Sequence, residues 1–154
     1  MAKTLTSTSK AASTRKIDTL LAHYGKSHLN PTNEAIHFVA IPLIMLSIVG
    51  LMYALHPWVA FAFMAASMVY YARLSTVFLV AMVVWSTILY WLILLMGNSV
   101  WQISLAIFVG AWIAQFIGHH LEGKKPSFFE DIQYLWVGPL FVLSKLFGKI
   151  GIHW

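Results

Sequence analysis

Polar and apolar positions fall along this chain in blocks rather than in alternation. Between Glu34 and Glu122 the only charged side chain is Arg73. Apolar runs within that gap extend over about residues 36–55, 58–72, 75–96 and 99–118, punctuated by His56-Pro57, Arg73 and Gly97-Asn98. About 20 apolar residues at 1.5 Å each match the ~30 Å hydrocarbon layer of a bilayer. The first, third and fourth runs therefore read as membrane helices, and the second as a short one. Ahead of them, Ile17, Leu20, Leu21 and Tyr24 share one helical face, which predicts a short amphipathic helix at the interface. A soluble juxtamembrane helix fits the same spacing. Gly25 and Asn30-Pro31 then break the chain, with Pro31 suited to a first helical turn and Asn30 or Thr32 to its cap. Residues 126–147 carry an apolar stretch interrupted by Gly138-Pro139, which reads as a kinked, half-buried or re-entrant helix, a full fifth span being the alternative.

The expected fold is all-α: a polytopic transmembrane bundle of four to five membrane helices with a short amphipathic N-terminal helix. Residues 1–15, rich in Ser, Thr, Ala and Lys, are expected to be a disordered tail and not a signal peptide, since no apolar core follows the early lysines. Residues 16–154 form a single integral membrane domain.

Composition strengthens this picture. The chain of 154 residues is 60% hydrophobic and only 10% charged, whereas soluble domains carry about a quarter charged residues. The excess apolar surface must face lipid. A net charge of +5 would suit nucleic acid, but the lysines and arginines cluster in the N-terminal arm and near the C-terminus, flanking the apolar block, so no nucleic-acid partner is expected. With the arm in the cytoplasm, four crossings return residues 119–131 to the same side. Arg73, Lys124 and Lys125 are then cytoplasmic, and the far-side turns carry no Lys or Arg. A bacterial inner membrane or an ER-type membrane fits equally. The pattern allows a homo-oligomer without requiring one. The absence of cysteine excludes disulfides and thiolate chemistry.

Seven histidines stand out in so apolar a chain. His56 lies in a far-side turn and His153 beside the terminus. The other five, His23, His28, His37, His119 and His120, fall on the cytoplasmic face once the chain is threaded through the membrane. Imidazole is a strong ligand for iron, zinc, copper and nickel. It is equally at home as an amphipathic group among headgroups, and the residues alone leave both readings open. Tyr24 and His28 are four apart, as are Gln115 and His119, so each pair can share a helix face with the first residue orienting the imidazole from outside the ligand shell. Glu122, three after His119, is a candidate carboxylate ligand or outer-shell partner. Lys124-Lys125 reads as a positive-inside anchor, or as a pair holding a substrate carboxylate or lipid phosphate.

At these residues the chain resembles a known family. Residues 24–37 (YGKSHLNPTNEAIH) resemble the signature Y-x-x-x-H-x-x-P-x-N-x-x-x-H, and residues 115–126 (QFIGHHLEGKKP) resemble Q-F-x-G-H followed by a basic pair and proline. The GP-L-F run at 138–141 fits the tail, so the likeness covers about residues 17–147. The family is that of the fungal 2-hydroxy fatty acid dioxygenases and their bacterial relatives, which are polytopic membrane proteins. The resemblance implies an iron(II)-dependent dioxygenase of α-oxidation. It would use O2 to shorten a long-chain 2-hydroxy fatty acid by one carbon, with release of CO2. Carried over by motif, His28, His37 and His119 are the catalytic and metal-binding residues, with His120 a further candidate ligand. Tyr24, Asn33, Lys124 and Lys125 are candidate substrate-binding residues, and Gln115 and Glu122 outer-shell partners. Two other classes compete: a non-catalytic membrane lipid-binding or assembly protein with interfacial histidines, and a di-histidine haem protein, which would want facing histidines in mid-span.

Overall fold

The computed structural model describes residues 15–26, 29–123 and 134–154. The expected tail, residues 1–14 of it, and the candidate residues His28, Lys124 and Lys125 lie outside the described residues. What is described is all-helical: α1 (Lys16–Gly25), α2 (Pro31–Leu55), α3 (Pro57–Ala72), α4 (Thr76–Leu95), α5 (Val100–Leu121) and α6 (Val137–Ile150), with one 3-10 turn at Gly97–Ser99.

Three stretches are long and apolar enough to cross a membrane: Pro31–Leu55, Thr76–Leu95 and Gly97–Leu121. Their outward faces are apolar, with Val80, Val84, Trp91, Ile113 and Ile117 all exposed. A soluble protein rarely presents large contiguous patches of this kind. α3, at 16 residues, reaches only ~24 Å at 1.5 Å per residue.

Local chemistry sets the boundaries. Asn30 caps α2, its side-chain oxygen accepting from Thr32 N at 2.9 Å and Asn33 N at 3.4 Å, with Pro31 in the first turn. Proline is preorganised there and lacks only a donor that the helix leaves unused. His56 ends α2 and caps α3, its Nδ1 accepting from Trp58 N at 3.2 Å. Pro42 sits inside α2. It removes one backbone bond, a loss more readily tolerated in apolar membrane helices than in soluble ones.

α2 and α5 are antiparallel and closely apposed. At one end a Cβ on Gly50 would collide with the Ser104 hydroxyl and lie 3.1 Å from Ser104 Cβ. At the other a Cβ on Gly118 would collide with the Asn33 side-chain carbonyl. The 3-10 turn makes α4 and α5 a hairpin, and α3 runs the chain back between the ends of α2 and α4. Accordingly Ala60 packs with Val49, Ile93 and Val100 at one end of the bundle, and Tyr71 with Phe78 and Leu140 at the other.

α1 and α6 close the second end. α1 buries Ile17 and Tyr24, so its apolar stripe is spent largely on protein: Ile17 packs with Leu140 and Phe147 of α6. Arg15 holds Asp18 through two hydrogen bonds of 2.9 and 3.0 Å and also donates to the Trp154 carbonyl. α6 differs from the expectation of a segment interrupted at Gly138-Pro139. Those residues lie in its first turn, where a missing N–H breaks no bond. Eight of its 14 residues are buried, and Lys145 pairs with Glu34 of α2 at 3.0 Å. Trp136, just before α6, donates to Ser67 Oγ at 3.0 Å and accepts at its carbonyl from Tyr71 at 3.3 Å, which docks this turn onto α3.

Alanine substitution should separate contact glycines from tolerant ones. Gly50→Ala and Gly118→Ala overpack the α2/α5 seam and should each cost about 1–3 kcal/mol. Gly110→Ala, whose Cβ would meet nothing within 4 Å, should be neutral or slightly stabilising, a helical Gly→Ala change gaining up to ~1 kcal/mol. Thermal unfolding of the detergent-solubilised variants checks this. Equal melting temperatures for all three would remove the close approach as a determinant of the bundle.

Candidate functional site

The antiparallel α2/α5 pair brings the first turns of α2 against the last turns of α5. His37 is wholly buried and His119 nearly so. Their rings meet edge to face, with centroids 5.1 Å apart and planes at 84°. His37 Nδ1 lies 2.9 Å from the Asn33 carbonyl. A carbonyl only accepts, so Nδ1 carries a proton, and in the neutral ring Nε2 carries the lone pair. This is the tautomer in which a metal-binding histidine is usually held, with its second nitrogen donating to a carbonyl or carboxylate.

Glu122 is the C-cap of α5, a poor local position for an anion because the helix carbonyls converge there. Its placement makes sense only in the tertiary structure. The carboxylate accepts from Leu29 N and Asn30 N, each at 2.9 Å, and from Asn33 Nδ2 at 3.0 Å. It therefore sits on the N-terminal end of α2, where exposed N–H groups favour negative charge. Hydrogen bonds to a charged group are worth about 1.5–3 kcal/mol. Asn30 adds a long bond of 3.4 Å to the Leu121 carbonyl. Glu122 thus acts as a clamp between the chain entering α2 and the end of α5.

Below the histidines a narrow crevice with about 20 Å³ of free space, room for one water-sized group, is lined chiefly by Tyr24, Ile41, Ile44, Trp112, Gln115 and Gly138. Tyr24 packs on Phe141 with centroids 5.0 Å apart and on Tyr134 at 5.6 Å. A Cβ on Gly138 would lie 3.2 Å from Ile41 Cδ1 and 3.5 Å from the Tyr24 hydroxyl, so the glycine leaves room there. Gln115 is 4% exposed, and its Oε1 is buried without a hydrogen-bond partner among the described residues. Such a group costs about 1–3 kcal/mol unless something satisfies it. Near the rim, Tyr134 Oη lies 2.7 Å from His23 Nδ1, and the two rings stack.

The structure thus gathers Tyr24, Asn33, His37, Gln115, His119 and Glu122 at one end of the bundle. His120 is exposed, about 100° around the helix from its buried neighbour. Among the described residues no group of three or more His, Asp or Glu converges to hold a metal ion. The donor set nonetheless fits one in chemical type: two buried imidazoles side by side, one with its tautomer fixed. Two features escaped sequence reasoning. The role of Gly118 was visible only as a letter in Q-F-x-G-H, and nothing local marks Glu122 as a clamp rather than a ligand. Gln115 and Tyr24, paired on paper with His119 and His28, both line the crevice.

A sequence model of the family described as 2-hydroxy-palmitic acid dioxygenase Mpo1-like matches residues 14–74 and 72–150. Neither the curated proteins nor the solved structures yielded a match. The family match takes in both histidine-bearing segments and every helix of the bundle, and the chain belongs to the Mpo1-like family.

Proposed function

We propose that this protein is a membrane-embedded, iron(II)-dependent dioxygenase that shortens long-chain 2-hydroxy fatty acids by one carbon. The observation that carries the reading is the buried His37–His119 pair, which joins two histidines more than eighty positions apart, one turn from a crevice that holds the Gln115 amide. The family description names a dioxygenase of 2-hydroxy-palmitic acid, and that supports the substrate class. The reaction balances without an external reductant: R–CH(OH)–COOH and O2 give R–COOH, CO2 and water. The C1–C2 bond breaks, C2 is oxidised to the new carboxyl, C1 leaves as CO2, and O2 is reduced to the level of water.

In this reading His37 and His119 hold the iron together with His28, and His120 is a peripheral fourth histidine. Iron(II) bound there would supply the electron-donating centre at which O2 is activated. The chain's own residues do the rest. The Asn33 carbonyl fixes the His37 tautomer, and Glu122 holds the 29–30 turn against α5. Burial of both rings keeps bulk water from the reacting carbon. The polar end of the substrate sits at the mouth of the crevice below, and Lys124 and Lys125 contribute positive charge that attracts its carboxylate.

The reading includes a topology. α2, α3, α4 and α5 cross the membrane four times, α3 obliquely or through locally thinned bilayer, and the histidine end faces the cytoplasm with α1 in its interface. A fatty acid in the cytoplasmic leaflet would then present its carboxylate at the depth of the site. Cysteines placed at Ser9 and Ser127 should be labelled by an impermeant maleimide from the same face of oriented vesicles. Labelling from opposite faces would refute four crossings.

His37→Ala and His119→Ala should each lower bound iron by on the order of 10–100-fold or more in affinity while the protein stays folded. His120→Ala, on the exposed face, should change it far less. Elemental analysis with a melting curve for each variant decides. Full iron in both His37→Ala and His119→Ala would sink the shared site.

For the reaction, iron-loaded protein incubated with 2-hydroxypalmitate should yield pentadecanoate under air and none under nitrogen, followed by mass spectrometry. Palmitate should react poorly, because sites built around a substrate hydroxyl discriminate strongly against its absence. Equal product without O2, or no product from any 2-hydroxy acid, would remove the dioxygenase assignment.

A further inference from the structure

We propose that Gln115 is the residue that recognises the 2-hydroxyl of the substrate, and so sets the preference for 2-hydroxy acids over simple fatty acids. This rests on the dioxygenase reading for the identity of the ligand, and on the structure for the residue.

Trp112, Gln115 and His119 lie three and four apart along α5, so they line one face of the helix. The amide therefore stands one turn, about 6 Å of rise, below the His119 imidazole. On the facing helix Ile41 and Ile44 follow His37 at the same one- and two-turn steps. The crevice they line therefore begins one turn from the histidine pair along both helices. Its other lining side chains are mainly hydrocarbon, the exceptions being the Tyr24 and Tyr134 hydroxyls and the Trp112 indole. The Gln115 oxygen in it is buried and without a hydrogen-bond partner among the described residues.

A glutamine whose buried oxygen is left unsatisfied is destabilising for folding alone, and a leucine or methionine would pack there at no such cost. The arrangement makes sense when a ligand supplies the partner. An amide offers one acceptor and two donors whichever way it is turned, and a secondary hydroxyl both donates and accepts. The carboxylate end of a fatty acid, by contrast, offers only acceptors once ionised. An acceptor oxygen at this place therefore tells a 2-hydroxy acid from its parent. The free space in the crevice is about 20 Å³, room for a single water-sized group, which fits one hydroxyl and not an acyl chain. Gly138 on the opposite wall keeps the space open.

The test separates recognition from turnover. Wild type, Gln115→Met and Gln115→Glu are prepared in nanodiscs with iron, and binding of 2-hydroxypalmitate and of palmitate is measured under nitrogen, alongside iron content. Wild type should bind the 2-hydroxy acid more tightly. Gln115→Met should keep its iron and its affinity for palmitate but lose the hydroxyl preference by on the order of 10–100-fold. Gln115→Glu, which keeps an acceptor, should weaken binding of both anions while retaining the preference. If Gln115→Met does not fold, Gln115→Asn, with its amide drawn back by one methylene, carries the same expectation. An unchanged preference in the neutral variant overturns the proposal. So does loss of iron with equal loss of both ligands, which would assign Gln115 to orienting His119. Wild type that binds with the preference but forms no product under air overturns the dioxygenase reading and leaves the recognition role standing.

Discussion

The near-contact of α2 and α5 is the constraint on which the rest of the molecule depends. Two glycines, Gly50 and Gly118, allow it, each facing a polar side chain on the other helix, Ser104 and Asn33. In a membrane, apolar burial gives little drive to bring helices together, so close backbone approach and interhelical polar contacts carry more of the association. The antiparallel sense of the pair then decides which residues meet. Positions 33 and 37, early in one helix, face 118 and 119, late in another. Every other feature of the site is laid over that meeting.

The few charged groups near this end are used for tertiary structure. Glu122 bridges the cap of α5 to the N-terminal end of α2, and Glu34 ties α2 to Lys145 of α6. Both join segments that the chain order keeps apart. Glu122 at the end of its own helix is locally unfavourable and globally favourable. α1 and α6 complete the closure by burying Ile17, Leu140 and Phe147 in one cluster, and each supplies one residue to the crevice wall, Tyr24 and Gly138.

Placing polar chemistry at one end of an apolar bundle suits a ligand that is itself divided into a polar head and an apolar chain. A buried imidazole whose Nδ1 is committed to a backbone carbonyl is oriented before any ligand arrives. A mid-span site would have to pay the full desolvation of the carboxylate; an interfacial one lets the head group remain where a lipid already keeps it. On the proposed function, the histidine end of this bundle meets that physical requirement.

Much of the helical framework was legible in the sequence because it is dictated locally. The long charge-free gap, the Asn30-Pro31 start, the His56-Pro57 turn and the Gly97-Asn98 turn each act through one or two neighbouring residues, and the helices begin and end within a few positions of them. The two motif segments and their histidines were likewise readable, as residue types at fixed spacing. Tertiary structure alone decided what those residues face. Periodicity says that Gln115 and His119 share a side of α5, but not that the side includes a crevice in which the amide oxygen is buried. The order of letters cannot reveal that Glu122 is spent on the backbone of residues 29 and 30, or that His119 is buried while adjacent His120 is exposed. Nor does it show that Gly138-Pro139 opens a helix instead of interrupting one. Such outcomes depend on which helices touch, in which sense and how closely. Pairwise contacts between distant segments set them, and hydropathy and local propensity do not encode those contacts.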